Sequence, residues 1–364
     1  MLKYRLLMSA VLLPAFAAIF YFDGRTGPLA ALFGPACMVL AGLAAGELVT
    51  MVRNRVPTVT RLDVILASVS LVFVAWAVHA GPALTWVGAE KSEQLAAYDS
   101  ARGRLDTYGV RGLDGTGPIT NLLAYSQVRT SLRDQGLYDA PATVLAAGVC
   151  AAVVICWLAV WLLEAAVRYE KGRLKPGDVI AHVSAKLLIL GYAGGLIAAT
   201  SQLRWYGTHA WAGYRLLAGL LIAVKAGDVG AYFIGRALGR RHPLKRLSPG
   251  KTEAGFIGAV VVGGAAFALW MTFAPYRMSA KVDSETLVWL LLKYFWLGGI
   301  LAIGGVVGDL IESLFKRECG VKDSSTMLPG FGGVLDVLDS VLFVGASLVA
   351  ATTLAATFAT IIRI

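Results

Sequence analysis

Residues 286–308 read TLVWLLLKYFWLGGILAIGGVVG, and the chain then turns polar, with DLIESLFKRECGVKDSSTMLPGFGGVLDVLDS over 309–340. The first stretch carries a single charge, Lys293, and is longer than the roughly 20 apolar residues a helix needs to cross a bilayer. Working outward, runs of the same kind lie at 5–22, 28–52, 63–87, 140–167, 179–200, 212–235, 255–273 and 333–362. The reading is an all-α polytopic integral membrane protein with about nine transmembrane helices. Composition agrees: 57% of residues are hydrophobic and 15% charged, with a mean hydropathy of +0.68. Soluble domains run nearer 45–50% apolar and roughly 25% charged. Multidomain soluble, disordered and collagen-like chains are excluded on the same grounds.

The net charge of +10 does not point to nucleic acid, because the basic residues fall in short clusters between apolar runs. With the N-terminus inside, segments 1–5, 53–62, 168–178, 236–254 and 309–332 hold 18 Lys and Arg, against five in the short segments opposite. Cytoplasmic loops are richer in Lys and Arg, so the N-terminus is read as cytoplasmic. The first run is read as a retained helix, although Ala15-Phe16-Ala17 resembles a cleavage site. Three regions follow: N-terminal helices over 1–87, an extracytoplasmic polar segment over 88–139, and a membrane-embedded catalytic region over 140–364. Cys37, Cys150, Cys156 and Cys319 lack paired spacing, which indicates neither a disulfide framework nor a zinc site.

Charges are costly in a membrane protein, so their clustering carries information. One cluster is Lys225-Ala226-Gly227-Asp228, followed by a basic loop and Ser248-Pro249-Gly250-Lys251-Thr252. Lys225 and Asp228 share a helix face. A phosphate-cradling loop of the G-x4-G-K-T kind is rejected, since its first glycine would fall at Lys245. In the second cluster Asp309, Glu312, Ser313 and Lys316 recur at i, i+3, i+4 and i+7, on one helix face. Pro329-Gly330-Phe331-Gly332-Gly333 breaks the helix, and Asp336 and Asp339 stand on one face of the next. Carboxylates from two facing helices suit hard divalent cations. With Lys316, Arg317 and Lys322 nearby, the residues point to metal-assisted phosphoryl or nucleotidyl transfer. A structural salt-bridge network or a transporter would also use such charges.

The pattern Ser313-x2-Lys316-Arg317-x4-Lys322-Asp323-Ser324, then Pro329-Gly330-x-Gly332-Gly333-x2-Asp336-x2-Asp339, resembles the signature of the phosphatidate cytidylyltransferase (CDP-diacylglycerol synthase) family, as do the two earlier blocks. The resemblance covers roughly 210–345. It implies transfer of CMP from CTP to phosphatidic acid, releasing pyrophosphate, in the cytoplasmic membrane, through a two-metal centre with Mg²⁺. It implies metal binding by Asp309 and Asp336, catalysis by these with Asp339 and Lys316, and substrate contacts from Lys225, Asp228, Ser248, Lys251, Thr252, Arg317, Lys322 and Asp323. The partners implied are CTP, phosphatidic acid, membrane lipids and a second copy of the chain as a homodimer. Three positions depart from the family: Ala254 replaces a Glu, Phe331 a His and Val337 an Arg. A non-catalytic or substrate-altered relative is therefore the alternative.

Overall fold

The computed structural model describes residues 14–23, 30–88, 141–206, 212–273 and 284–362. The polar segment 88–139 therefore lies, Gly88 aside, outside the described residues. Among the described residues, eight helices are long and apolar enough to span a membrane: Phe33–Val52, Leu62–Ala80, Ala147–Glu170, Asp178–Trp205, Gly213–Leu238, Glu253–Phe273, Ser284–Glu318 and Val334–Leu354. Half of the first expected span, 5–13 of 5–22, lies outside the described residues, and 14–23 is helical.

The elements are α1 (Phe33–Val52), α2 (Leu62–Gly88), α3 (Pro141–Glu170), α4 (Asp178–Ile189), α5 (Leu196–Ser201), α6 (Ala212–Leu238), α7 (Glu253–Phe273), α8 (Ser284–Glu318) and α9 (Val334–Ile362). A π-helical turn over Leu190–Gly195 joins α4 to α5, and a 3₁₀ turn extends the rod to Trp205. These elements carry α4–α5 past the expected end at 200.

α8 likewise runs ten residues beyond the apolar stretch, because its polar end keeps helical periodicity. At 1.5 Å per residue its 35 residues reach about 52 Å, against about 30 Å of hydrocarbon, so the surplus carries the acidic turns 309–318 toward the interface. Gly320, at φ 72°, stops it. Val321 N–H donates to Lys316 O at 2.9 Å and Gly320 N–H to Arg317 O at 3.1 Å, the paired bonds of a left-handed glycine cap. Two carbonyls left over at that end are taken by the α1–α2 loop: Arg55 Nε donates to Glu318 O and Asn54 Nδ2 to Cys319 O.

Small residues bring α6, α7 and α8 together, the usual device where lipid gives helices no hydrophobic drive to associate. A Cβ on Gly230 would stand 2.5 Å from Gly258 O, and one on Gly227 2.9 Å from the Ala302 methyl. The second half-core joins α1, α2 and α4–α5 to the start of α9, with Leu48, Ala67, Ile189 and Leu335 at its centre. Within it Lys186, wholly buried, pairs with Asp63 at 2.5 Å and with Glu164, tying α2, α3 and α4. At the far end, buried Asp23 accepts the Leu32 and Phe33 amides and the Tyr214 hydroxyl. All four cysteines are free, and burial raises the Cys319 thiol.

Candidate active site

Four loops, 53–61, 171–177, 239–252 and 319–333, meet at one end of the bundle. Lys251 bridges the third to α8, bonding Asp309 Oδ2 at 2.7 Å and Val306 O at 3.1 Å. Between α6, α7, α8 and the start of α9 lies an open cavity of ≈ 400 Å³, within the range of small-molecule sites, about 300–1,000 Å³. Lys225, Asp228, Tyr232, Lys251, Thr252, Asp309, Asp336 and Asp339 line it. Beside Tyr232, Val229 and Phe233 are more than half exposed, so an apolar face adjoins a charged chamber.

Three carboxylates converge at this end of α8 and α9. Asp309, Glu312 and Asp339 each present a ligand atom within 4.8 Å of the others. The approach depends on Gly308, where an added Cβ would sit 2.9 Å from Asp339 O and 3.0 Å from Phe343 Cβ. Glu312 is fully buried, and its Oε1 has no hydrogen-bond partner. A buried, unpartnered carboxylate oxygen in an all-oxygen donor set fits a hard divalent cation. Glu312 stood on the expected helix face but was not expected as a site residue. The signal that could have found it is the i, i+3 spacing from Asp309.

Asp336 stands apart from this trio. Its Oδ1 accepts from Lys316 at 2.7 Å. Its Oδ2 accepts from Gly333 N at 2.7 Å, Ser324 N at 2.9 Å and Ser324 Oγ at 2.7 Å. With Gly333 as the residue before the first turn of α9, Asp336 is the third helical residue reaching back to it, half of a capping box. Lys316 also bonds Glu312 Oε2 at 2.6 Å, so one half-buried cation bridges two carboxylates.

The other expected site residues divide. Lys225 and Asp228 face each other across 3.6 Å in the cavity wall. Thr252 lines the cavity, but its hydroxyl also caps α7 by accepting Gly255 N–H at 3.1 Å. Ser248, Arg317, Lys322 and Asp323 are not among the lining residues, and the last three are solvent-exposed. Phe331 and Val337 also stand outside the wall.

The model of the family described as "Cytidylyltransferase family" matches residues 122–355, well over half of the chain. The chain belongs to the cytidylyltransferase family. It is 40% identical over 139 residues to a phosphatidate cytidylyltransferase of Haemophilus influenzae, covering 38% of this chain and 46% of that one. A protein of the same name from Bacillus subtilis is 40% identical over 123 residues, 34% of this chain and 42% of the relative. One from Staphylococcus saprophyticus is 37% identical over 158 residues, 43% and 54%. The chain spans about half the length of the curated relatives it matches. The family's matched region holds the cavity and the acidic trio but excludes α1 and α2.

Proposed function

We propose that the protein transfers CMP from CTP to phosphatidic acid, giving CDP-diacylglycerol and pyrophosphate, at the cytoplasmic face of a bacterial inner membrane. The observation that carries the reading is the trio Asp309, Glu312 and Asp339 beside the cavity where Lys225 and Lys251 stand. Membership of the family and the names of the relatives support the same reaction. The Lys and Arg of the loops at the cavity end support a cytoplasmic orientation.

In the reaction a phosphate oxygen of the lipid attacks the α-phosphorus of CTP. The new P–O bond forms as the bond to the β-phosphate bridging oxygen breaks, and pyrophosphate leaves with that electron pair. Both reactants are anions, so the protein's work is positioning and charge neutralisation. Asp309, Glu312 and Asp339 would hold Mg²⁺, which neutralises charge on the phosphates when bound. Lys251 exchanges its pairing with Asp309 for phosphate oxygens, and Lys225 does the same from Asp228. Lys316 stays engaged, holding Glu312 and Asp336 in register across the α8–α9 contact. The apolar flank at Val229 and Phe233 lets a lipid bring its headgroup in sideways while its acyl chains remain in the bilayer.

The test is label transfer: purified protein in detergent with phosphatidic acid, CTP labelled at the α-phosphate, and Mg²⁺. Label is expected in lipid, with pyrophosphate in equal amount, and Asp339→Asn is expected to abolish both. Label that stays in water while the folded protein binds CTP would refute phosphatidic acid as the acceptor. Neither Phe331 nor Val337 lines the cavity.

A further inference from the structure

α9 begins at Val334, and the residue before it is Gly333, which has no side chain to cap the helix. The first turn of a helix leaves amide donors unsatisfied unless something accepts them. Here the acceptor comes from α1, far away in sequence. Glu47, 7% exposed, accepts Val334 N–H through Oε1 at 2.9 Å and Leu335 N–H through Oε2 at 2.9 Å. It also accepts the hydroxyl of Ser325 at 2.7 Å and lies 3.0 Å from that of Ser324. A carboxylate at this position also meets the positive end of the helix dipole.

The contact continues into the site. Ser324 Oγ lies 2.7 Å from Asp336 Oδ2, Asp336 Oδ1 is 2.7 Å from Lys316 Nζ, and Lys316 Nζ is 2.6 Å from Glu312 Oε2. Glu312 belongs to the acidic trio. An unbroken chain of polar contacts thus runs from α1 to the ligand group. Gly333 supplies an independent observation: a Cβ there would collide with Ser324 Oγ and the Glu47 carboxylate. A glycine is needed at that point because Glu47 and Ser324 occupy the space a side chain would take.

We infer that Glu47 is a positioning residue for nucleotidyl transfer, fixing the start of α9 and, through Ser324, Asp336 and Lys316, the carboxylate of Glu312. This rests on the reading of the acidic trio as the transfer site. Glu47 is not among the residues that line the cavity. It assigns to α1, which lies outside the matched family region, a part in the chemistry as well as in the packing. Ser324 has one hydroxyl proton between two carboxylates, so its alignment depends on both being held.

The test compares wild-type protein with Glu47→Gln, Glu47→Ala, Ser324→Ala and the double variant Glu47→Ala/Ser324→Ala. Mn²⁺ binding is measured directly by electron paramagnetic resonance alongside CMP transfer, and thermal unfolding reports the fold. Residues that orient ligands typically change metal affinity or activity by about 10–100-fold. Glu47→Ala is expected to weaken Mn²⁺ binding about tenfold and to lower kcat more than it raises KM for CTP. Glu47→Gln keeps one acceptor oxygen and is expected to recover part of both. The double variant is expected to fall short of the product of the single effects, because both act through Asp336. Folded Glu47→Gln and Glu47→Ala with wild-type Mn²⁺ affinity would overturn the inference. So would a Glu47→Ala loss that appears only as unfolding while folded Glu47→Gln binds Mn²⁺ like wild type. If wild-type protein transfers no CMP, the assigned reaction fails, and the Mn²⁺ arm still decides on Glu47.

Discussion

Replacing Lys316 by methionine removes one cation from between two carboxylates and keeps a side chain of similar length. Lys316 Nζ stands 2.6 Å from Glu312 and 2.7 Å from Asp336, with side chains 12%, 1% and 8% exposed. Taking one partner out of a buried pair leaves an uncompensated charge and costs about 3–5 kcal/mol. A divalent cation on the trio at 100 times its Kd adds about 2.7 kcal/mol to the folded state, and that gain shrinks when the trio binds it less tightly. The expected outcome is a lower thermal midpoint for Lys316→Met in EDTA, with a smaller gain on adding Mg²⁺ than wild type shows, because Glu312 loses the contact that holds it. The assay is thermal unfolding in detergent followed by intrinsic fluorescence, with and without Mg²⁺. Equal midpoints for variant and wild type in EDTA would refute the bridging role. A Mg²⁺ gain as large as in wild type would refute the link to the metal.

Three further outcomes follow from the packing. Gly308→Ala is expected to cost about 1–3 kcal/mol by forcing α8 off α9 and to lower CMP transfer with it, read by unfolding and label incorporation on the same sample. Lys186→Met is expected to destabilise by about 3–5 kcal/mol through the orphaned Asp63 and Glu164, while the folded fraction keeps the wild-type KM for CTP. Phe331→His, a change outside the cavity wall, is expected to leave thermal stability within about 0.5 kcal/mol of wild type and kcat/KM for CTP unchanged, read by unfolding and label incorporation.

The membrane-spanning architecture is legible because a bilayer imposes length and apolarity on every span. The helix bearing Asp309 is legible in its face but not in its extent, as polar residues hide where a helix leaves the membrane. Gly320, which ends it, acts through backbone conformation. Asp309, Asp339, Lys225, Asp228, Lys251 and Thr252 meet in one cavity as their spacing suggests. Asp336, expected as a metal ligand, lines the same cavity and also accepts from Lys316, Ser324 and Gly333, because it caps its own helix. That division between capping and ligation depends on tertiary contacts. Glu47 left one trace in the sequence, an acid inside an apolar run, and its partners lie more than 270 residues away. Lys186 left the same kind of trace, and only the packing of α2 and α3 reveals its two carboxylates.

The most direct measurement is anomalous diffraction from crystals of the protein grown with CTP and Mn²⁺. The account predicts a Mn²⁺ peak ligated by Asp309, Glu312 and Asp339, with Lys316 still paired to Asp336 and the triphosphate toward Lys251. A peak on Asp336 with Lys316 displaced, or Mn²⁺ away from the three carboxylates, would contradict it.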